Sequence, residues 1–305
     1  MNKDNNKINN NNLINNDNIS KKNIRRRKVK NAIFHSILAS IIVFSIIILL
    51  LLLYQVFKAG FSHLSFSFLT SMPSRFANRA GIASALAGSI WTIGLTILFS
   101  VPLGVGTALY LEEYANQNSK LTKLLQLNIA NLAGVPSIVY GMLGLAVFVR
   151  FLAFGSSILS GALTLTLLIL PVIIVASQEA IKSVPNALKE GSYALGVSKW
   201  QTITGVIIPY SLPGILTGSI LAVSRAMGEA APLIMVGAAG YISFLPKSPL
   251  SSFTVLPIQI FNWTSRPQAE FAEIAAAGII VLLVLLLSMN AIAIFLRNKY
   301  QNRMD

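Results

Sequence analysis

Six apolar stretches organise the chain, each long enough to cross about 30 Å of hydrocarbon as an α-helix. They lie near residues 32–57, 84–111, 127–150, 158–179, 209–236 and 272–296. The first and last are almost purely aliphatic, as in Ile41 to Leu53 and Ala275 to Leu287. That is the composition of helices that face lipid. The middle four are rich in Gly, Ser, Thr and Pro: Gly88, Gly94, Pro102, Gly104 and Gly106 in the second, and Gly134, Pro136, Ser137, Gly141 and Gly144 in the third. Small residues let helix backbones approach closely where apolar side chains gain little by leaving lipid. The pattern predicts an all-α integral membrane protein with six transmembrane helices, the middle four forming the working bundle.

Composition agrees. Of 305 residues only 11% are charged and 54% are apolar, whereas a soluble domain is about 25% charged. No soluble surface can be built from so few charges. The chain has no cysteine, which excludes disulfide frameworks, thiol catalysis and cysteine metal sites.

The charge that remains is uneven. The net charge is +14, and residues 1–30 carry nine Lys/Arg against two Asp, so half the excess lies there. Eleven of those thirty are Asn and no hydrophobic period is present, so the segment is expected to be a disordered basic tail. Its end, Lys21-Lys22 and Arg25-Arg26-Arg27-Lys28 with Lys30, abuts the first span. A topology anchor on anionic headgroups explains it; a nucleic-acid arm would be expected to interleave aromatic residues, and none is present. With the N-terminus inside, 17 Lys/Arg fall on the cytoplasmic side and 6 on the other. The positive-inside rule then puts both termini in the cytoplasm.

Arg225 and Glu229 are the only charges deep in an apolar span. On a fifth helix of about 213–236, Arg225 falls near the middle, where a charge costs about 2.5–3.5 kcal/mol on translocon scales. The i, i+4 spacing lets guanidinium and carboxylate pair, and Gly214, Gly218 and Ala222 precede them on nearly the same stripe. Two readings stand: a path for a polar or anionic solute, or a structural ion pair between packed helices. Asn131, Ser137 and Tyr140 of the third span suit hydrogen bonds between helices, or to a solute. His35 and His63 flank the first span with no carboxylate beside them in the sequence, so no metal and no cofactor is expected. The chain also lacks GxxxxGK[ST], so it brings no ATP-binding P-loop of its own and is not expected to be an enzyme.

Residues 180–208 form the longest patterned connection on the cytoplasmic side. Asn186 to Leu195 suits a short helix stopped by Gly196, with Asn186 or Ser183 as cap. Leu188, Tyr193, Leu195 and Trp200 give it an apolar edge. Such an edge lies on headgroups or is presented to a soluble partner.

Here the residues carry a resemblance. Glu190-Gly191-Ser192, three residues, Gly196, nine residues, then Val206-x-Ile208-Pro209 resembles the EAA loop of ABC importer permeases. Gly191-Ser192, Val206 and Ile208 stand in for the commonest letters but keep their size. Over residues 80–298, GSIWTIGLTILFSVPLGVGTALYLEEY, NLAGVPSIVYGMLGL, SRAMGEAAPL and LPIQIFNWTSRPQAEF resemble phosphate-specific importer permeases, more the A-type subunit than the C-type. The resemblance implies a type I importer (MetI-like) permease core in the cell inner (plasma) membrane. It implies a companion C-type permease, an ATPase dimer and an extracytoplasmic phosphate-binding protein as partners, with lipid around them and no nucleic acid. It implies that Glu190, Gly191, Gly196 and Pro209 belong to the loop seated in the ATPase, and that Arg225 and Glu229 match the charged pair of the phosphate path. Alternatives kept open are a molybdate or sulfate permease of the same fold, and a membrane scaffold or sensor.

The expected organisation is thus a basic tail (1–30), a first transmembrane helix with an outer loop (31–79), the permease core (80–298) and a cytoplasmic C-terminus (299–305). Within the core, Pro246, Pro249, Pro257 and Pro267 exclude a spanning helix from the outer loop 241–271. Its Phe244, Phe253, Phe261 and Trp263 are expected in an interface belt or a short re-entrant segment.

Overall fold

The computed structural model describes the backbone of residues 3–301 and, within it, all side chains except those of residues 3–26, 29, 296, 300 and 301. The chain divides into two units, Met1–Val56 and Phe57–Asp305. The described residues of the first lie within one long helix, α1 (Lys3–Gly60). The tail expected to be disordered is therefore helical backbone from Lys3 onward. Extending a helix from an apolar segment already formed needs no new nucleus, and nucleation is the unfavourable step. The basic side chains Lys21, Lys22, Arg25 and Arg26 lie outside the described residues, as does most of the C-terminal segment 299–305.

The second unit begins with α2 (Phe66–Thr70) and continues with α3 (Ala83–Leu109), which ends in a π-turn, Tyr110–Tyr114. Next come α4 (Lys120–Leu132) and α5 (Ser137–Gly144), the latter extended by a π-helical stretch to Phe151. Then follow α6 (Ile158–Lys182), α7 (Asn186–Ala194) and α8 (Lys199–Thr202), with a π-turn, Ile203–Ile207, leading into α9 (Ile208–Gly228). The last three helices are α10 (Ala231–Val236), α11 (Leu256–Thr264) and α12 (Ala269–Gln301). Among the described residues, five helices are long and apolar enough to span a membrane, and a bent pair passes the same test when its two helices are taken together. This is a multi-pass, all-α membrane protein.

Two of the expected spans are not simple helices. The third, 127–150, straddles a 106° bend between α4 and α5. Pro136 caps α5 without a backbone N–H to continue α4, and Gly134 loosens the turn before it. The fifth starts at Lys199 rather than near 209, because α8, the π-turn and α9 are continuous. Pro209 cannot donate to the Gly205 carbonyl, and the wider π-turn just before it absorbs the missing bond.

The centre of the unit is α6. It packs against α3 on one side, α9 on another, and α5 and α10 as well. Buried Leu165, Leu168, Ile169 and Ile173 of α6 share one cluster with Ile93 of α3 and with Val223, Ala226 and Met227 of α9. The α6–α9 contact depends on small residues, with Gly214 against Ala180 and Gly218 against Ala176. This is the close approach that the small-residue spans predicted.

Helix ends sort to two faces. Phe68, Leu256 and Trp263 share a cluster at one end, with Leu256 N–H donating to Ser89 Oγ at 2.8 Å. At the other end, Lys189 of α7 reaches Glu113 at the end of α3. Loops 110–119 and 183–198 therefore lie together. Phe253 and Trp263 are not interface aromatics: both are fully buried, whereas Phe244 and Phe261 are exposed. Phe253 plugs the space beside Gly161, and Trp263 packs on Phe68 with ring centroids 6.0 Å apart.

A Cβ on Gly214 would stand 2.7 Å from the Ala180 Cβ, closer than packed atoms approach. Gly214→Val is expected to destabilise the solubilised protein by about 1–3 kcal/mol through overpacking. Gly94→Ala meets nothing within 4 Å and should stabilise by up to about 1 kcal/mol through helix propensity. Thermal melting in detergent checks both.

Candidate functional site

The site around Arg225 is made by a helix break. Pro232 has no N–H for the Gly228 carbonyl and its ring crowds that carbonyl, and α9 stops at Gly228. Glu229 leaves the helix with extended backbone, φ −78° and ψ 119°. Ala231–Val236 then forms α10, which Gly237 ends at φ +91°. Arg225 accordingly sits in the last turn of α9, not in the middle of an unbroken helix. There the negative end of the helix dipole offsets part of the cost of the cation.

The glycine stripe and the charged pair are also on different faces. Gly214, Gly218, Ala222 and Ala226 follow one another at four-residue steps. The two glycines press on α6, and Ala222 and Ala226 are buried. Arg225 is one position off this stripe and 51% exposed, on the side of the exposed Leu221. Its Nε lies 3.4 Å from Glu229 Oε1, whose side chain is 18% exposed. Among the described residues, the two terminal guanidinium nitrogens have no hydrogen-bond partner. A guanidinium edge left open in this way suits bidentate binding of an oxyanion.

The neighbours of the break are structural. Pro232 rests against Gly141 of α5, and Tyr140 joins the cluster that holds Ala226 and Met227. The Tyr140 hydroxyl donates to the Leu132 carbonyl at 2.8 Å, tying α5 to α4 across the bend. Of the three polar candidates of the third span, Tyr140 thus serves packing, while Asn131 is exposed. His63 does gain a carboxylate through the fold, Glu273 at 3.6 Å. Among the described residues, no three His, Asp or Glu side chains converge as a metal site.

The second set of predicted residues lies on the loop at the opposite end. Pro185, not Asn186 or Ser183, caps α7, since its fixed geometry starts the helix without a side-chain bond. Gly196 takes φ +76°, the left-handed turn for which glycine is suited. Ser198 and Gln201 then open α8 with a reciprocal capping box. Glu190 and Gly191 are exposed on α7, and Pro209 stands in the first turn of α9. Leu195 is 84% exposed and Trp200 63%, so the apolar edge faces outward.

The opposite face of the loop is held by charges that sequence reasoning passed over. Lys189 Nζ lies 2.6 Å from Glu113 Oε1, and Lys199 donates to the Glu113 carbonyl with its ammonium 4.7 Å over the Tyr114 ring. Gln178 donates to Glu112 at 2.7 Å and Lys182 stands 3.7 Å from it. Ser192 and Thr202 share a buried hydrogen bond of 2.9 Å between α7 and α8. The adjacent acids of LEEY were the available signal, but their partners lie 66 to 86 residues away.

The Arg225–Glu229 pair, being half exposed, is expected to contribute less than about 1 kcal/mol to stability. Glu229→Gln should therefore leave thermal melting of the solubilised subunit almost unchanged; a large loss would show that the pair holds the fold.

Comparison with known proteins agrees with this architecture. Residues 100–302 match the family model described as binding-protein-dependent transport system inner membrane component. A probable ABC transporter permease protein of Bacillus subtilis, YqgI, is 40% identical over 77% of this chain and 83% of its own length. The phosphate transport system permease protein PstA of Yersinia pestis is 33% identical over 82% and 84%, and PstA 1 of Mycobacterium tuberculosis 34% identical over 74% and 73%. Among solved structures, a bacterial alginate ABC transporter in complex with its ligand-bound periplasmic protein covers 87% of this chain and 93% of its own at TM-score 0.63 and 17% identity. The methionine transporter MetNI, in an inward-facing conformation, gives TM-score 0.54 at 19% identity. The fold is that of an ABC importer permease, and the chain belongs to the family of inner-membrane components of binding-protein-dependent transport systems.

Proposed function

We propose that this chain is one of two permease subunits of an ATP-driven importer of inorganic phosphate, with both termini cytoplasmic. The observation that carries the reading is Arg225: a guanidinium at a helix break, turned away from the core of its own subunit, with two nitrogens open. Relatives named phosphate transport permeases, at 33–34% identity over most of the chain, support the substrate.

The mechanism follows from where the charges are. A companion permease of similar fold would cover the open face of α9 and complete the path. Phosphate, released from an extracytoplasmic binding protein, meets a cation that offsets the cost of bringing an anion into low dielectric. Glu229 occupies one guanidinium nitrogen and adds a negative charge nearby, so the anion is held without being trapped. At the other end, Glu190 and the apolar edge of α7 and α8 enter a cleft of the ATPase, with Gly191 leaving room for close approach. Gly196 and Pro209 fix the turn and the entry into α9. The ATP is bound and hydrolysed by that separate subunit.

Radiolabelled phosphate uptake into vesicles holding the reconstituted complex, with and without ATP, tests the reading; uptake of sulfate or molybdate in its place would reassign the substrate. Arg225→Gln is expected to cut uptake roughly 10- to 100-fold, the worth of a hydrogen bond to a charged group, while the complex still assembles. Failure to assemble would make the pair structural. Glu190→Arg is expected to leave the subunit in the membrane and to separate ATP hydrolysis from uptake. Retained uptake would remove Glu190 from the coupling role.

A further inference from the structure

The end of α3 is the meeting point of three elements distant in sequence. Glu112 faces α6, through Gln178 and Lys182. Glu113 faces α7 through Lys189, and its carbonyl receives Lys199 of α8. Consecutive helical positions diverge by about 100°, so adjacent carboxylates serve two partners at once. The Glu113 carbonyl is free because the last carbonyls of a helix lack intrahelical donors, and cations are favoured there by the dipole.

The Glu113–Lys189 pair is unlike the exposed pairs elsewhere. The carboxylate is 8% exposed and the lysine 19%. A pair so far out of water holds its geometry, because separating it strands a charge in a poorly solvated place. The other links of the loop are softer. The 183–185 connection is short and outside regular helix, and α8 enters α9 through a π-turn.

From this clamp the helix continues through the Tyr110–Tyr114 π-turn into α3 and past Pro102 to Ile93, which packs in the cluster with Ala226 and Met227 beside the α9 break. Twenty residues of helix between Glu113 and Ile93 span roughly 30 Å. One rod therefore connects the loop to the neighbourhood of Arg225.

We propose that Glu113, through Lys189, is the positioning residue that makes α7 and α3 move as one body, so that displacement of the loop is delivered along α3 to the break at Arg225. The proposal rests on the coupling role assigned above to the loop. Removing Glu113 or Lys189 singly strands a charge, so the informative variant is the neutral double change, E113Q/K189M, with Lys189→Arg as the conservative one.

The chain has no cysteine, so Leu103→Cys on α3 and Ala194→Cys on α7, both at exposed positions, accept spin labels selectively. In the assembled complex the distance between them is expected to be the same without nucleotide and with ATP trapped. In E113Q/K189M it should shift or broaden on trapping, with phosphate carried per ATP down at least tenfold and ATP hydrolysis retained. Lys189→Arg should behave as the parent. A parent distance that changes by several ångströms on trapping overturns the proposal. So does a double variant with parental distances and coupling, or one that fails to assemble while Lys189→Arg is intact. If the parent complex shows no ATP-driven phosphate uptake, the function assigned above fails instead, and the label distances still decide whether α3 and α7 move together.

Discussion

The constraint on which the structure depends is the cost of a charge or an unpaired backbone group in hydrocarbon. Helices satisfy the backbone internally, but their ends do not, and in this chain charges gather at those ends. Lys182 closes α6, Arg225 closes α9, and Lys199 donates to the Glu113 carbonyl at the end of α3, where Gln178, Lys182 and Lys189 hold the adjacent carboxylates of Glu112 and Glu113. Arg225 and Lys199 lie beside terminal turns where a cation is favoured. Inside the helices, the hydroxyls of Thr92, Thr96 and Thr166 are satisfied by bonding back to the preceding turn. The residues that do chemistry are therefore the residues that manage helix termini.

Small residues supply the second half of the design. Because Gly214 and Gly218 admit α6 to close contact, α9 is held along most of its length, and its free face is the one bearing Leu221 and Arg225. The same central helix fixes α3, so the loop at one end and the helix break near the other are joined by packed, apolar elements. A transporter needs rigid bodies that turn about compliant links. Here α3 and α6 are the rigid bodies, and the π-turn at Ile203–Ile207 marks where helical geometry gives.

Much of this was legible in the residues. Long apolar stretches located the helices, and glycine content separated the bundle from the aliphatic flanks. Gly196 ended α7 as its spacing said. The EAA-like spacing and the SRAMGEAAPL segment pointed to an importer permease. Other features left no trace in hydropathy. Apolar character continues on both sides of the bend at Pro136 and the break at Gly228, so hydropathy registers neither. The proline that causes the second break acts on a carbonyl four positions earlier, not at its own site. Phe253 and Trp263 read as interface aromatics because hydropathy does not distinguish a side chain facing lipid from one plugging a gap beside Gly161. Lys189, Lys199 and Glu113 read as ordinary cytoplasmic charges because their meeting is made by folding.

By itself the sequence determined what local energetics fix: which segments are apolar enough to span, which are lipid-like, where a loop must turn, and that Arg225 and Glu229 are too costly to be incidental. Only the tertiary structure decided which face each helix shows. It turned Arg225 away from the glycine stripe, put it at a helix end, and brought Glu113 within hydrogen-bonding distance of a lysine 76 residues away. Those outcomes depend on how helices pack against one another, and an interaction between distant side chains leaves no periodicity along the chain.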